Sequence, residues 1–141
     1  MDALSGKTAL VTGAASGIGE GMAVKLAETG ANLAICDLQE TIHDVAEKIA
    51  NDTGVTVRAD VVDVRDPDQV FEFVGEVNSH FSGLDIVIAN AGVWRPTDPV
   101  EDSKEKTVAD WDLLVNTNLK GVYLTGRASI PHLVSNGGGF I

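Results

Sequence analysis

Four short apolar runs alternate with helical patterns along this chain, and this alternation limits the folds that it can adopt. The runs are bounded by Gly, Asp or Asn, and they are Thr8–Val11, Asn32–Cys36, Val55–Ala59 and Leu84–Ala89. Runs that are apolar on both faces suit strands of a parallel sheet that is covered on both sides. Strands alternating with helices indicate βαβ units in an open, doubly wound α/β sheet. Right-handed crossovers in such a sheet predict the strand order 3-2-1-4, with the short start of a fifth strand, at the end of the sequence, next to the fourth.

Apolar residues between these runs recur at helical spacing and predict the buried faces of three helices. The expected stripes are Ile18–Met22–Leu26, Ile42–Val45–Ile49 and Val70–Phe73–Val77–Phe81. The third helix has the clearest start signal. Asp66 is its predicted N-cap, Pro67 its first residue, and Gln69 the partner that completes a capping box.

A fourth, long helix is predicted from about Val108 to His132, and it follows one long loop, Val93–Lys106. Thr107 and Asp110 are its expected start signal, and Pro131 is expected to bend or end it. Trp111 is interpreted as a core anchor near the start of this helix.

The acidity of the chain restricts its partners. Ten Lys and Arg stand against 21 Asp and Glu, which gives a net charge of -11 over 141 residues. Nucleic acid and anionic membranes both bind basic patches, so neither is an expected partner. The first residues, Met1–Lys7, have no basic or long apolar stretch, and a single Cys fits a reducing compartment. We therefore expect a cytoplasmic protein of one domain.

A glycine-rich turn, TGAASGIG at Thr12–Gly19, lies between the first strand and the first helix. Glycines let the backbone approach a pyrophosphate, and the helix N-terminus offers N–H groups and a partial positive charge. The turn predicts a dinucleotide site in a Rossmann-type fold, with contacts from Gly13, Ser16, Gly17, Ile18 and Gly19. Val in place of Gly19 is expected to block the pyrophosphate while leaving the fold intact, since a β-branched residue disfavours positive φ.

Asp37 ends the second strand, 18 residues past Gly19. A carboxylate about 20 residues beyond the glycines accepts hydrogen bonds from the adenosine ribose hydroxyls. The 2′-phosphate of NADP would meet like charge there, and neither Ala14–Ser16 nor Leu38 supplies a cation. The sequence therefore predicts NAD as the cofactor.

Four patches resemble the short-chain dehydrogenase/reductase family, in its compact single-domain branch. They are TGAASGIG, DVRD (Asp63–Asp66), ANAG (Ala89–Gly92) and WDLLVNTNLKGVYL (Trp111–Leu124). Ala89 stands where the family usually has a first Asn, a departure that removes one side-chain hydrogen bond.

The resemblance implies an oxidoreductase that transfers a hydride between NAD and a secondary alcohol or ketone. It implies adenine contacts from Asp63 and Val64, further cofactor contacts from Asn90, Ala91 and Gly92, and a catalytic Asn118 that helps to hold a water. It also implies a homo-oligomer, dimer or tetramer, paired through the long helix 108–132.

The family continues with a fifth strand that delivers a Ser, and then a helix with Tyr-x-x-x-Lys. Gly137–Ile141 matches the start of that strand, and residues 1–141 contain neither the Ser nor the Tyr–Lys pair of the motif. Tyr123, the one tyrosine, lies in the long helix at a position that the family uses for packing. A chain limited to these residues is expected to be the NAD-binding part, truncated at the fifth strand and inactive alone.

Two functions stay open on this reasoning. The chain is either the cofactor half of a dehydrogenase or reductase, or a binding and dimerisation module without turnover. A nucleotide-sugar epimerase of the extended branch is disfavoured because that branch spaces its glycines differently.

The remaining reactive side chains have simpler interpretations. The three histidines lack metal-ligand spacing, so no metal site is predicted. Cys36 is interpreted as a small buried residue. Trp94 and Arg95 follow the ANAG turn, and either contact a substrate or pack as part of the loop.

Overall fold

A computed structural model describes residues 3–141 as a four-stranded parallel sheet with helices on both faces. The strands are β1 (Thr8–Thr12), β2 (Asn32–Asp37), β3 (Val57–Val61) and β4 (Ile86–Ile88). The helices are α1 (Gly17–Glu28), α2 (Ile42–Thr53), α3 (Pro67–Phe81), α4 (Lys104–Val115) and α5 (Val122–Ser135), with a π-helical segment, Asn116–Gly121, between the last two. The order β3-β2-β1-β4 confirms the predicted doubly wound fold.

The period of two along each strand divides the core between the two faces of the sheet. Leu10 and Ala34 face α3 and α5, whereas Ala9 and Leu33 face α1 and α2. All five residues of β1 are buried, as expected for a central strand that is covered on both sides.

The start of a fifth strand pairs with β4, as predicted. Phe140 forms a parallel bridge with Ile86. Its N–H donates to the carbonyl of Asp85 at 3.0 Å, and its carbonyl accepts from the N–H of Val87 at 2.9 Å. The final residues therefore lie at the edge of the sheet next to β4.

All four strands differ from their predicted bounds, and β1 and β2 each end one residue later, at Thr12 and Asp37. The third strand begins two residues later, at Val57, because Gly54 ends α2 with a left-handed φ of 76° and the next residues complete the turn. The fourth strand is shorter, since only Ile86–Ile88 pairs with β1.

The buried stripe of α1 was predicted one residue too early. Gly19, Ala23 and Ala27 face the core, whereas Ile18 and Met22 are 73% and 37% exposed. Small residues let this helix approach the sheet closely. The side chains that face the core are therefore smaller and less apolar than the neighbouring exposed ones. The stripes of α2 and α3 are confirmed, with Val45 and Phe81 only partly buried.

The long helix begins earlier and ends later than predicted. Ser103 caps it, since its Oγ accepts from the N–H of Lys106 at 3.2 Å, and Thr107 lies within the first turns. Pro131 lies inside α5, so the expectation that it could end the helix is wrong. Trp111 was wrongly predicted as a core anchor: it is 67% exposed, and α4 has no buried residue.

Asp66 caps α3 as predicted, but Gln69 does not complete the usual box. The Oδ1 of Asp66 accepts from the N–H groups of Asp68 and Gln69 at 2.9 and 3.3 Å. The Gln69 amide donates instead to Oδ2 of Asp66 at 3.0 Å, and its oxygen accepts from the N–H of Asp63 at 2.9 Å. The cap thus also fixes the turn that leads into the helix.

Removal of this cap is expected to destabilise the fold measurably. Asp66→Ala leaves two N–H groups without their acceptor, and should lower the free energy of unfolding by about 1 kcal/mol. Asp68→Ala, in the same turn, removes an equal charge but no cap, so its loss should be smaller. Urea unfolding of both variants measures the difference, and equal losses would show that the cap contributes nothing beyond its charge.

Candidate cofactor site

A cavity of about 510 Å³ lies at the carboxyl ends of the strands. Its lining comes from the turns after all four strands and from the long helix. These residues are Gly13, Ser16, Ile18, Gly19, Asp37, Leu38, Gln39, Val62, Asp63, Val64, Arg65, Asn90, Ala91, Gly92, Val93, Arg95, Leu113 and Thr117. Ligands of open α/β sheets bind in this position, outside the carboxyl ends of the strands.

Backbone hydrogen bonds tie the glycine-rich turn to the end of β2. The N–H groups of Gly13 and Ala14 donate to the carbonyl of Cys36 at 2.8 and 3.2 Å. Gly13 and Gly17 have φ values of 69° and 63°, which side chains disfavour. The turn therefore keeps its shape through its own backbone and its contact with the neighbouring strand.

Gly19 has a different role from the one expected. Its φ is not positive, and an added Cβ would lie 2.1 Å from the carbonyl oxygen of Gly13 and 2.5 Å from Nδ2 of Asn90. A side chain at this position would therefore strike the protein itself. The expectation that Gly19→Val leaves the fold intact is wrong.

Asn90 joins β4 to the glycine-rich turn. Its Nδ2 donates to the carbonyl oxygens of Thr12 and Gly13 at 3.0 and 3.1 Å. The Oγ1 of Thr12 accepts from the N–H groups of Asn90 and Ala91 at 3.1 and 3.0 Å. Sequence reasoning missed Thr12, although its position as the polar last residue of a buried strand was a usable signal.

The first turn of α1 opens onto this cavity. Ser16 precedes the helix in an extended conformation, and within residues 3–141 no side chain caps its N-terminus. The first N–H groups of a helix have no partner inside it, and they carry the positive end of the helix dipole. These donors fit the pyrophosphate of a dinucleotide.

Asp37 lies on the cavity with both carboxylate oxygens held. Its Oδ2 accepts from the N–H of Ala15 at 3.0 Å, and its Oδ1 accepts from the N–H of Gln39 at 3.1 Å. The neighbouring Leu38 is 60% exposed and lines the same cavity. The carboxylate is thus fixed at one end of the cavity, beside the turn.

Asp63 and Val64, in the turn after β3, line the same cavity. Asp63 pairs with Arg65, whose Nη2 and Nε lie 2.6 and 2.8 Å from its two oxygens. Hydrogen bonds from Arg65 lower the pKa of Asp63 below its ordinary value, against the effect of partial burial. Val64 is buried, and it lies against Gly121 of the π-helical segment, where an added Cβ would be 2.8 Å from Val64 Cγ2.

Asn118 lies in the π-helical segment and binds the loop after β4. Its Oδ1 accepts from the N–H of Val93 at 2.8 Å, and its Nδ2 donates to the carbonyl of Val93 at 2.8 Å. The amide therefore anchors this loop. Its predicted part in holding a catalytic water remains a prediction.

Cys36 is completely buried beneath the turn. Burial raises the pKa of its thiol, and the nearby Asp37 and Asp60 raise it further. The thiol stays protonated at neutral pH, in agreement with the interpretation of Cys36 as a small core residue.

Neither a metal cluster nor a membrane span was found in the described part of the chain. Residues 3–141 hold no group of three or more His, Cys, Asp or Glu arranged to bind a metal ion. No helix within them is long and apolar enough to cross a membrane.

Comparison with known proteins finds one family that matches almost the whole chain. A family model described as short chain dehydrogenase matches residues 7–141. A short-chain type dehydrogenase/reductase of Mycolicibacterium smegmatis is 38% identical over 96% of this chain and 52% of its own length. The chain thus spans about half the length of such relatives.

Two solved structures show the same fold with different cofactors. NAD⁺-bound xylitol dehydrogenase has a TM-score of 0.89 at 28% identity. The match covers 97% of this chain and 52% of the dehydrogenase chain. L-sorbose reductase from Gluconobacter frateurii, complexed with NADPH and L-sorbose, has a TM-score of 0.85 at 32% identity. The match covers 97% of this chain and 51% of the reductase chain.

Two glycines of α1 allow a matched test of the close contact between Gly19 and the Gly13 carbonyl. Gly19→Ala should destabilise the fold by about 1–3 kcal/mol, because its Cβ has no space beside the Gly13 carbonyl. Gly21→Ala adds the same group two residues later, where nothing lies within 4 Å, and should stabilise the helix by about 0.5–1 kcal/mol. Thermal or urea unfolding separates the two, and a Gly19→Ala variant as stable as Gly21→Ala would contradict the packing described.

Proposed function

The chain belongs to the short-chain dehydrogenase family, and we propose that it forms the NAD-binding half of an enzyme that oxidises secondary alcohols or reduces ketones. The observation that carries this proposal is the carboxylate of Asp37, fixed on the cavity beside an uncapped helix N-terminus. A dinucleotide would lie in this cavity of about 510 Å³, along the carboxyl ends of the strands.

The residues present fit such a cofactor. The turn from Gly13 to Gly19 would hold the pyrophosphate with backbone N–H groups. Asp37 would accept hydrogen bonds from the adenosine ribose, and Asp63 and Val64 would border the adenine. The end of β4, Asn90–Gly92, would border the nicotinamide half.

The choice of NAD over NADP rests on charge. The two relatives of known structure differ in cofactor, so family membership leaves the choice open. In this chain, the Asp37 carboxylate would repel the 2′-phosphate of NADP, and the neighbouring Leu38 has no positive charge to neutralise that phosphate. Arg65 lines the same cavity, but its guanidinium is already paired with Asp63. These charges favour NAD.

Bound nicotinamide would supply a hydride acceptor or donor, and the protein must then handle the proton. A free tyrosine has a pKa of about 10, and a neighbouring Lys ammonium favours its phenolate. The family's Tyr-x-x-x-Lys motif, implied by the resemblance, does not occur in residues 1–141. We propose that these residues bind the cofactor without turnover, and that Asn118 orients the loop that closes one side of the site.

The long helix is the proposed surface for pairing with a second copy. Apolar side chains remain exposed along it, including Trp111 at 67%, Leu119 at 67% and Tyr123 at 62%. Contiguous exposed apolar surface favours association. A homo-oligomer formed through residues 108–132 would cover these side chains.

The cofactor proposal predicts a measurable preference. The unmodified protein should bind NAD more tightly than NADP by on the order of a hundredfold, because a like-charge contact costs several kcal/mol. Asp37→Ser combined with Leu38→Arg should reverse this preference, and Leu38→Arg alone should shift it only in part. Calorimetric titration with both cofactors measures the ratios.

A second substitution separates charge from shape in the same experiment. Asp37→Asn keeps the size of the side chain and at least one of its two backbone hydrogen bonds, while removing the negative charge. It should reduce the difference in binding affinity between NAD and NADP, with little loss in the free energy of unfolding. If the unmodified protein binds both cofactors equally well, the assignment of NAD is wrong.

A further inference from the structure

We infer that Trp94 and Arg95 form the substrate-recognition element of this site, and that they select an alcohol or ketone carrying a carboxylate beside an apolar body. The inference rests on the proposed function, since it concerns what binds next to the nicotinamide half of the cofactor. It depends on how the loop after β4 is held, and on which charges within it are already paired.

The first part of this loop is fixed by Asn118. Both ends of its amide bind the backbone of Val93, with N–O distances of 2.8 Å. A side-chain amide that bonds both backbone groups of one residue fixes the position and direction of the chain there. Trp94 follows immediately.

The second part is fixed by Lys106, from the first turn of α4. Its Nζ lies 2.9 Å from Oδ2 of Asp102, 2.7 Å from Oδ2 of Asp110 and 3.3 Å from the carbonyl oxygen of Pro96. Both carboxylates are partly buried, and the hydrogen bonds to Asp110 and Asp102 raise the pKa of Lys106. This ammonium therefore attaches the loop to the helix at the residue after Arg95.

Trp94 and Arg95 thus lie between two fixed points, with their side chains uncovered. Trp94 is 76% exposed, although an indole usually contributes to a core or an interface. Arg95 lines the cofactor cavity. Within residues 3–141, its guanidinium donates one hydrogen bond, from Nη1 to the carbonyl oxygen of Trp94, and that bond is long at 3.3 Å. A loop held at both sides of an exposed Trp–Arg pair can present that pair at low entropic cost.

Two acidic residues of the same loop, Asp98 and Asp102, are already engaged. The Oδ1 of Asp98 accepts from the N–H groups of Val100 and Glu101 at 2.9 and 3.1 Å. Asp102 accepts from the N–H of Asp98 at 2.8 Å as well as from Lys106. Within residues 3–141, Arg95 has no carboxylate within ion-pair distance, despite the net charge of -11. Its guanidinium is available to a ligand.

The topology places this guanidinium at the substrate side. Asp37 ends β2, whereas Arg95 follows β4, and the two strands lie on opposite sides of β1. A dinucleotide with its pyrophosphate on the turn after β1 and its adenosine at Asp37 would extend its other half toward β4. Arg95 would then lie beyond the cofactor, where the reacting molecule must bind.

Two kinds of surface are available there to one small molecule. A guanidinium binds a carboxylate with two parallel hydrogen bonds, which is the contact that distinguishes an acid from its amide. The indole of Trp94 and the side chain of Leu113, which lines the cavity, offer apolar area to the rest of the substrate. Aromatic and aliphatic keto acids or hydroxy acids have this combination.

The test compares two ketones that differ only in charge. Para-acetylbenzoate and para-acetylbenzamide are titrated calorimetrically into the protein saturated with NAD⁺, a mixture in which both partners are oxidised and no reaction occurs. The carboxylate should bind at least about tenfold more tightly, since a hydrogen bond to a charged group contributes more than the 1.4 kcal/mol that a tenfold ratio represents. Arg95→Gln should reduce this ratio to about one, and Arg95→Lys should retain part of it.

Controls separate recognition from general effects. Lys104→Gln removes the same charge from an exposed residue of the first turn of α4, and should leave the ratio unchanged. Trp94→Ala should weaken both ketones by a similar factor. NAD affinity, measured alone, should not change in the Arg95 variants.

Several results would overturn the inference. An acid-to-amide ratio near one in the unmodified protein, or a ratio that survives Arg95→Gln, would remove the role of Arg95 in recognising a carboxylate. A loss of NAD affinity in Arg95→Gln would assign the guanidinium to a cofactor phosphate instead. Failure of the unmodified protein to bind NAD would overturn the proposed function itself, and this inference with it.

Discussion

The contact between the glycine-rich turn and the end of β4 is the constraint on which the site depends. The Asn90 amide donates to the carbonyl oxygens of Thr12 and Gly13, and Gly19 lies so close to the Gly13 carbonyl and the Asn90 amide that no Cβ fits. This contact joins β1, α1 and the loop after β4 at one point. The cavity beside that point is lined by Asp37 at the end of β2 and by Arg95 in the loop after β4.

Much of this architecture could be predicted from the sequence because it depends on local signals. Alternating apolar runs and helical patterns predicted the strand order, and Asp66 with Pro67 predicted the start of α3. The glycines and Asp37 were predicted to contact one dinucleotide, and in the structure Gly13, Gly19 and Asp37 line one cavity. In each case a residue type has a strong preference for one conformation or one partner, which is visible without the fold.

Features that depend on tertiary packing could not be predicted in this way. Spacing alone favoured the larger Ile18 and Met22 for the core side of α1, whereas close packing against the sheet selects Ala23 and Gly19. Trp111 was predicted as a core residue, but it lies on α4, which has no buried residue. Gly19 likewise needed the position of a distant asparagine before its role was clear.

The central claim is that the turn and the end of β4 together hold a dinucleotide, and amide chemical shifts test it directly. In a titration of the ¹⁵N-labelled protein with NAD, the account predicts the largest shift changes at the N–H groups of Ser16–Gly19, at Gln39 next to Asp37, and at Asn90–Val93. Changes confined to other surfaces, or no saturable change at these amides, would contradict it.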